Sequence, residues 1–332
     1  MLSLWRALLA FVAVAVVCAL ALRGLVSLLL EVRARRSARV AGEGPPAVLR
    51  SRVWARRVVL ALALAGLLCS AYAHWVEPDW LAVERVSVPL RGLPPGAPAV
   101  RLALLSDTHS EPEAHLEREL PGALAGLAPD LIVFAGDALN APGGLPVFRA
   151  LLTELVRLAP TYVVRGNWDV WYFGGLDLFG GTGAIELRGE RAQRLVVRGV
   201  ELHLAGFAVQ EGWEARALEA NEPLVAALLD GAPEGSVRVL VHHYPEVAAL
   251  GARRGADLAL SGDTHGGQVW LPLLGELVRL SRFGRYFTAG LHRLDGGHLY
   301  VNRGLGVEGG AAPRVRFLCR PELTLIELTP AP

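Results

Sequence analysis

The sequence has no lysine, so all 33 of its basic side chains are arginines, and it has only three cysteines and one methionine. Three scattered cysteines exclude a disulfide framework or a zinc ribbon as the basis of the fold. Charged residues make up 20% of the chain, which is low for a soluble protein of 332 residues. Apolar residues make up 52%, and this proportion excludes a disordered chain.

The formal net charge of +1 conceals two regions of opposite charge. Residues 1–76 contain ten arginines against Glu31 and Glu43, which gives a net charge of +8, and residues 77–332 carry −7. Neither region has the basic face that nucleic-acid binding requires, and we therefore expect no nucleic-acid partner.

Two long apolar runs in the first region predict membrane-spanning helices, one within residues 1–30 and one at residues 58–76. A bilayer core requires about 20 apolar residues per helix, and both runs meet this length. The connecting residues 31–57 are rich in arginine, and short loops of this kind remain in the cytoplasm. The sequence thus predicts a two-pass protein of the cell inner membrane whose C-terminal region is periplasmic. Two alternatives stay open, namely a pair of buried helices in a soluble core and a signal peptide cleaved at Ala19-Leu20-Ala21.

Beyond residue 76, short apolar runs typical of buried strands end in polar residues, and helical segments are predicted between them. This alternation indicates an α/β domain at residues 99–332, preceded by a linker and first strand at residues 77–98. In such domains the functional residues lie on the loops that leave the strand ends. We expect the following metal-ligand types to meet at one edge of one sheet: Asp107, His109, Asp137, Asn167, one of His242 and His243, Asp263 and His265.

These residues stand in motifs that resemble the calcineurin-like metallophosphoesterase superfamily. The motifs are Asp107-x-His109, Gly136-Asp137, Gly166-Asn167-x-Asp169, His243-x-Pro245 and Gly262-x-Thr264-His265-Gly266-Gly267-Gln268. The segments Tyr300–Gly306 and Arg320–Leu323 resemble the membrane-associated YkuE/YaeI-type branch. The resemblance covers residues 83 to 329.

The resemblance implies a four-layer α/β/β/α sandwich with two divalent metal ions bridged by one carboxylate. By motif position, the first ion is held by Asp107, His109, Asp137 and His265. The second is held by Asp137 as the bridge, with Asn167, His243 and Asp263. Ligands of mixed oxygen and imidazole type suit manganese, iron or zinc.

The sequence departs from the superfamily pattern at two positions. Trp168 stands where the superfamily usually has a histidine that assists the leaving group, and an indole has no titratable proton to give. We therefore consider Asp169 and His242 as catalytic substitutes, beside Asp137. Asp263 also replaces a histidine, and a hard oxygen ligand there favours manganese, iron or magnesium over zinc.

The function that these features predict is a membrane-anchored, binuclear metal phosphoesterase. It would hydrolyse a phosphomonoester, phosphodiester or pyrophosphate bond of a small-molecule or lipid substrate by attack of a metal-bound hydroxide. One alternative is a lipid pyrophosphatase of the UDP-2,3-diacylglucosamine type. Another is an envelope protein that binds metal at a catalytically degenerate site, as Trp168 suggests.

Overall fold

The structure is a computed structural model, and it describes residues 19, 22–27, 30, 32–33, 36–37, 40, 50–210, 217–272, 275–276, 287–308 and 314–331. The chain divides into two units, Met1–Val76 and Glu77–Pro332. Most of the first predicted membrane span lies outside the described residues, as do Leu20 and Ala21 of the possible cleavage site.

Helix α1, Arg50–Trp75, is 26 residues long and contains all but the last residue of the second predicted span. Within the described part of the chain, the segment Arg57–Asp79 is the one candidate that is long and apolar enough to cross a membrane. Its window is only 11% buried, so most of its apolar side chains are exposed in the described part of the chain. The two-pass arrangement stays a prediction, because only this span is described.

In the part that the structure describes, the second unit is built on two six-stranded sheets and a two-stranded ribbon. The strands are β1 Ala82–Leu90, β2 Val100–Leu105, β3 Leu131–Phe134, β4 Thr161–Val163, β5 Ile185–Glu186, β6 Gln193–Val197, β7 Val200–Gly206, β8 Val237–Val241, β9 Leu258–Ser261, β10 Trp270–Leu271, β11 Gly275–Glu276, β12 Gly290–Leu294, β13 Gly297–Val301 and β14 Glu322–Pro330. The first sheet has the order β1-β14-β2-β3-β4-β5, and the second has the order β12-β13-β9-β8-β7-β6. Strands β10 and β11 form the ribbon.

Helices cover the outer face of each sheet. They are α2 Leu120–Leu127 and α3 Leu145–Leu158 on the first sheet, and α5 Leu218–Asp230 and α6 Pro245–Arg253 on the second. The short helix α4, Asn167–Trp171, follows the end of β4. One apolar cluster lies between the sheets, a second joins the first sheet to α2 and α3, and two more join the second sheet to α5 and α6. The layer order is therefore helix, sheet, sheet, helix.

The apolar runs of the sequence form strands because both faces of each central strand are buried. In β3, Leu131 and Val133 point into the cluster between the sheets, whereas Ile132 and Phe134 point toward the helices. Helix α3 buries its residues at helical spacing, with Phe148, Leu151, Leu152 and Leu155 on one face.

Strand β14 lies inside the first sheet although it is the last strand of the chain. It pairs in parallel with β1 along nine residues and antiparallel with β2. From β2 to β5 the pairs of the first sheet are parallel, and from β13 to β7 those of the second sheet are parallel. The carboxyl ends of the central strands therefore lie at one end of each sheet.

The mixed α/β fold with parallel sheets that the sequence predicts is confirmed. The expectation that one sheet supplies all the ligand types is wrong. Strands β2, β3 and β4 belong to the first sheet and β8 and β9 belong to the second, so the ligand-bearing strand ends come from both sheets. Apolar periodicity locates strands but does not assign them to sheets, which is the reason for the error.

The packing of α3 on the first sheet leads to a stability prediction. Phe148 is fully buried, with its ring 5.1 Å from that of Phe134 and 6.1 Å from that of Phe179. Phe148→Ala should lower the free energy of unfolding by about 3–5 kcal/mol, because it leaves a cavity in this cluster. Urea unfolding of the full chain in detergent would measure the loss. Val196→Ala, at a side chain that is 73% exposed, is the control and should stay within about 0.5 kcal/mol. Equal losses in both variants would contradict the close packing of Phe148.

Candidate metal centre

Seven buried side chains converge where five strands end. Each follows the last residue of its strand by two to four residues, so short loops position them. They are Asp107 and His109 after β2, Asp137 after β3, Asn167 after β4, His243 after β8, and Asp263 and His265 after β9.

Five of these seven residues have a left-handed backbone. The φ angles are 49° at Asp107, 43° at His109, 60° at Asp137, 71° at Asp263 and 51° at His265. Such angles are costly for residues other than glycine and cluster at functional sites. At these strand ends they turn the side chains out of the alternating pattern of the strand and toward a common point.

A close approach of two loops explains the glycine before Asn167. A Cβ on Gly166 would lie 2.1 Å from Asp137 Oδ1 and 2.6 Å from the backbone nitrogen of Asp137. Only glycine permits this distance, because no real Cβ tolerates such contacts. The approach lets the Trp168 backbone N–H donate to Asp137 Oδ1 at 2.8 Å.

The first group of candidate ligands consists of Asp107, His109 and His265, whose donor atoms lie within 4.8 Å of one another. The Nε2 atoms of His109 and His265 are 3.2 Å apart. His265 Nε2 lies 3.5 Å from Asp107 Oδ1, and His109 Nε2 lies 3.7 Å from Asp137 Oδ2. Two imidazole nitrogens and two carboxylates therefore face one point.

The second group consists of Asp107, Asp137 and His243. His243 Nε2 lies 3.3 Å from Asp137 Oδ2, 3.0 Å from Asn167 Oδ1 and 3.7 Å from Asp263 Oδ1. By distance the two groups share Asp107, yet Asp137 Oδ2 also faces a histidine of each group. Asp137 is thus placed between the groups.

Burial and mutual charge shift the pKa values of these side chains strongly. Burial lowers the pKa of His109 to about 4 and that of His265 well below its usual value. Burial raises the pKa of Asp107 to about 8. Burial alone would lower the pKa of His243, but the carboxylates of Asp137, Asp107 and Asp263 raise it to about 10. Without a metal, the nearby carboxylates therefore favour the protonated form of His243.

The donor set fits divalent metal ions. The His243 Nδ1 atom donates to the Ala135 carbonyl at 2.8 Å, which leaves Nε2 as the nitrogen that faces the carboxylates. A hydrogen bond of this kind orients a metal-ligating histidine. The Nε2 atoms of His109 and His265 face each other at a distance that a cation between them would stabilise. The described residues can therefore hold metal through oxygen and imidazole donors.

Asp169 does not have the placement of an acid or base. Its Oδ2 atom accepts hydrogen bonds from the backbone N–H groups of Asp137 at 2.8 Å and Gly166 at 2.9 Å. Its Oδ1 atom accepts from Ala138 at 2.8 Å. Three amides from two loops thus bind this fully buried carboxylate. The placement of Asp169 does not support its expected catalytic role, because these bonds tie its carboxylate to the loop that carries Asp137.

His242 does not join the cluster either. Its Nδ1 atom accepts from the Tyr244 backbone N–H at 3.1 Å, and its ring packs 4.5 Å from that of Phe207. Phe207 and Tyr244 belong to the apolar cluster beneath α5 and α6. Neighbouring residues at a strand end point to opposite faces, so His243 faces the ligands and His242 faces the helices. The placement of His242 does not support its expected catalytic role.

Trp168 packs against a ligand of the first group. Its ring contacts that of His109 edge to face, with centroids 5.0 Å apart at 87°. The Trp168 ring also lies 5.0 Å from the ring of Tyr172, which is 65% exposed. The residue that replaces the usual histidine is therefore part of the wall of the site.

Arg316 supports the site, and no sequence motif singles it out. This fully buried guanidinium donates to the backbone carbonyls of Arg303, Gly304, Gly306 and Cys319. The same backbone segment also contacts Asp107, because the N–H groups of Leu305 and Gly306 donate to the Asp107 carbonyl. An isolated arginine in a loop gives no sequence signal for such a role.

Comparison with known proteins agrees with this geometry. The model of the calcineurin-like phosphoesterase family matches residues 100–267, about half of the chain. The metallophosphoesterase YkuE of Bacillus subtilis is 28% identical over 81% of this chain and 93% of its own. Phosphodiesterase YaeI of Escherichia coli is 28% identical over 82% of this chain and 98% of its own. A zebrafish (Danio rerio) transmembrane protein with a metallophosphoesterase domain is 29% identical over 83% of this chain and 63% of its own.

Solved structures are similar at lower identity. TT1561 of Thermus thermophilus has a TM-score of 0.40 and 15% identity, and the match covers 62% of this chain and 90% of that one. Phosphopantetheinyl hydrolase of Mycobacterium tuberculosis has a TM-score of 0.37 and 16% identity, with 63% and 91% covered.

The three hydrogen bonds that backbone N–H groups donate to the Asp169 carboxylate lead to a prediction for Asp169→Asn. An asparagine side chain offers one acceptor oxygen, so at least one buried N–H would lose its partner, at a cost of about 1–3 kcal/mol. We expect this loss in urea unfolding, together with weaker Mn²⁺ binding in calorimetry, because the loop that carries Asp137 shifts. The control is Asp295→Asn at an exposed turn, which should change neither quantity. Unaltered Mn²⁺ affinity in Asp169→Asn would contradict this expectation.

Proposed function

The chain belongs to the calcineurin-like phosphoesterase family and is a metal-dependent phosphoester hydrolase, and on this premise we propose that it acts at the membrane through a two-metal centre. The observation that carries the proposal is the convergence of three carboxylates, three imidazoles and one amide oxygen from five strand ends. The substrate is a phosphoester of a small molecule or lipid.

Two ligand sets follow from the distances and the motif positions. Asp107, His109 and His265 would hold one ion, and Asn167, His243 and Asp263 the other. Asp137 would bridge them, since its Oδ2 atom faces His109 and His243. Two bound cations would neutralise the phosphoryl oxygens and lower the pKa of a water for in-line attack. The sequence supports manganese or iron at the second site, because Asp263 supplies a hard oxygen ligand there.

Hydrogen bonds within the chain orient the candidate ligands before any ion binds. The Trp168 backbone N–H occupies Asp137 Oδ1, so that Oδ2 is the oxygen left to face both histidines. The Asp263 backbone N–H donates to Asp107 Oδ1 at 3.1 Å, which ties the ligands of the two sheets together. Such preorganisation reduces the rearrangement that metal and substrate binding require.

Neither alternative function is favoured. A degenerate site would be expected to have lost ligand types, and all seven positions carry coordinating side chains that converge. No feature of the described residues selects a UDP-2,3-diacylglucosamine-type substrate over other phosphoesters.

The activity test compares the full chain in detergent with its Asp137→Asn variant, using p-nitrophenyl mono- and diesters of phosphate with Mn²⁺ or Zn²⁺ added. Loss of the bridging carboxylate should lower kcat/KM at least about 10³-fold, because several kcal/mol of charge stabilisation disappear. Asp295→Asn is the matched control and should retain the parent rate. A parent rate in Asp137→Asn would exclude the two-metal proposal.

We further propose that the catalytic unit lies outside the cytoplasm of a two-pass inner-membrane protein. The candidate span Arg57–Asp79 and relatives named transmembrane support membrane association. The arginine-rich loop between the two apolar runs supports the orientation.

Fusions in a bacterial host would test this topology. Alkaline phosphatase fused to the C-terminus should be active, whereas the same enzyme fused after Ala47, in the arginine-rich loop, should be inactive. Green fluorescent protein should report the reverse. Fluorescence from the C-terminal fusion would place the catalytic unit in the cytoplasm and contradict the proposed orientation.

A further inference from the structure

Glu77 is the first residue of the catalytic unit, and its carboxylate is completely buried. It begins the entry segment, residues 77–82, which leads from helix α1 into strand β1. Both of its oxygens accept backbone hydrogen bonds from a second stretch of chain, the support segment, residues 316–321. The Leu318 N–H donates to Oε2 at 2.7 Å, and the Cys319 N–H donates to Oε1. A buried carboxylate is stable only with such partners, so Glu77 ties the two segments together.

Arg320 connects the same two segments in the opposite direction. Its Nε atom donates to the Trp80 carbonyl at 2.9 Å, and its Nη2 atom donates to the Leu81 carbonyl. The guanidinium carbon also lies 4.2 Å from the centre of the Trp80 ring. The Ala82 N–H completes the contact by donating to the Pro321 carbonyl at 2.8 Å. The entry segment and the support segment are therefore bound to each other by side chains from both.

The support segment also contacts the loop that carries His265. The Phe317 N–H donates to the Gln268 carbonyl at 2.9 Å, and Cys319 Sγ donates to the His265 carbonyl at 3.3 Å. The Cys319 contact leaves no room for a side chain at the next position, because a Cβ on Gly266 would lie 2.7 Å from Sγ. Only glycine lets the two stretches of chain approach this closely. A shift of the support segment would therefore move the backbone of His265.

The support segment reaches a second candidate ligand through Arg316. This guanidinium donates to the Gly306 carbonyl at 2.6 Å, and the Gly306 N–H donates to the Asp107 carbonyl at 2.7 Å. Asp107 and His265 are two of the three members of the first group of candidate ligands. The support segment thus contacts the backbone of both, directly at His265 and through the loop after β13 at Asp107.

Resting on the proposed two-metal function, we propose that Glu77 is a positioning residue for the first metal ion. Its carboxylate holds the support segment, and the support segment holds the backbone of Asp107 and His265 where their side chains can bind that ion. Asn167 and His243, which would hold the second ion, follow β4 and β8 and lie on other loops. The stretch of chain that leads from helix α1 into the catalytic unit is thereby part of the support of the metal centre.

Calorimetric titration of Mn²⁺ into the metal-free full chain in detergent tests this role. The parent protein should bind two ions, and His109→Ala and Asn167→Ala identify the binding event of the first and of the second ion by removing a ligand of each. Glu77→Gln leaves one acceptor oxygen for two N–H groups, so one buried N–H loses its partner. The event of the first ion should weaken at least about tenfold, as is typical when a metal ligand loses its support, and the other should change less than about threefold.

Two further variants separate positioning from a general loss of structure. Asp130→Asn is the matched control, because its carboxylate oxygens accept from the Arg101 N–H at 2.8 Å and from Arg198 Nε at 2.7 Å, at the opposite end of the first sheet. It should lower the unfolding midpoint without changing either Mn²⁺ affinity. Arg320→Ala releases the entry segment by truncating a partly buried side chain, and it should weaken the same binding event as Glu77→Gln.

The outcomes distinguish the role of Glu77 from the proposed function. Parent affinity for both ions in Glu77→Gln and Arg320→Ala would overturn the positioning role. Equal weakening of both binding events, or weakening of the second event alone, would overturn it as well. A parent protein that binds fewer than two Mn²⁺ ions would overturn the proposed two-metal function instead.

Discussion

Repulsion between buried carboxylates is the constraint on which the candidate metal centre depends. Asp107, Asp137 and Asp263 lie within a few ångströms of the His243 ring, away from water. Charges of one sign in such a medium are stable only beside a cation. The surrounding structure meets this requirement with backbone N–H groups on Asp107 and Asp137, a raised pKa of His243 and donor groups that could hold metal ions. The left-handed backbone at five ligand positions is a local cost of bringing these groups together.

Much of this arrangement can be predicted from the sequence because ligands follow strand ends in recognisable motifs. Such patterns identify Asp107, His109, Asp137, Asn167, His243, Asp263 and His265, and the structure brings them together. The division of the strands between two sheets cannot be predicted from apolar runs, because strands of either sheet are buried on both faces. Asp169 and His242 show the same limit at the level of single side chains. A carboxylate bound by three amides and an imidazole packed on Phe207 have the same sequence signal as catalytic groups.

Residues without a motif are beyond prediction for a different reason. Arg316 acts through backbone carbonyls of the loop after β13 and of Cys319, and only the folded structure shows these contacts. The loop after β13 packs in turn against the Asp107 backbone.

The position of β14 in the first sheet has a consequence for how the protein is made. Because β14 separates β1 from β2, the first sheet cannot form in its native order until residues 322–330 have been synthesised. Until then β2, the strand that leads into Asp107 and His109, lacks one of its two neighbours. Pairing between residues so far apart in sequence is slow. The catalytic unit therefore completes its first sheet only after residues 322–330 are available, which makes these last strand residues a late step of its folding.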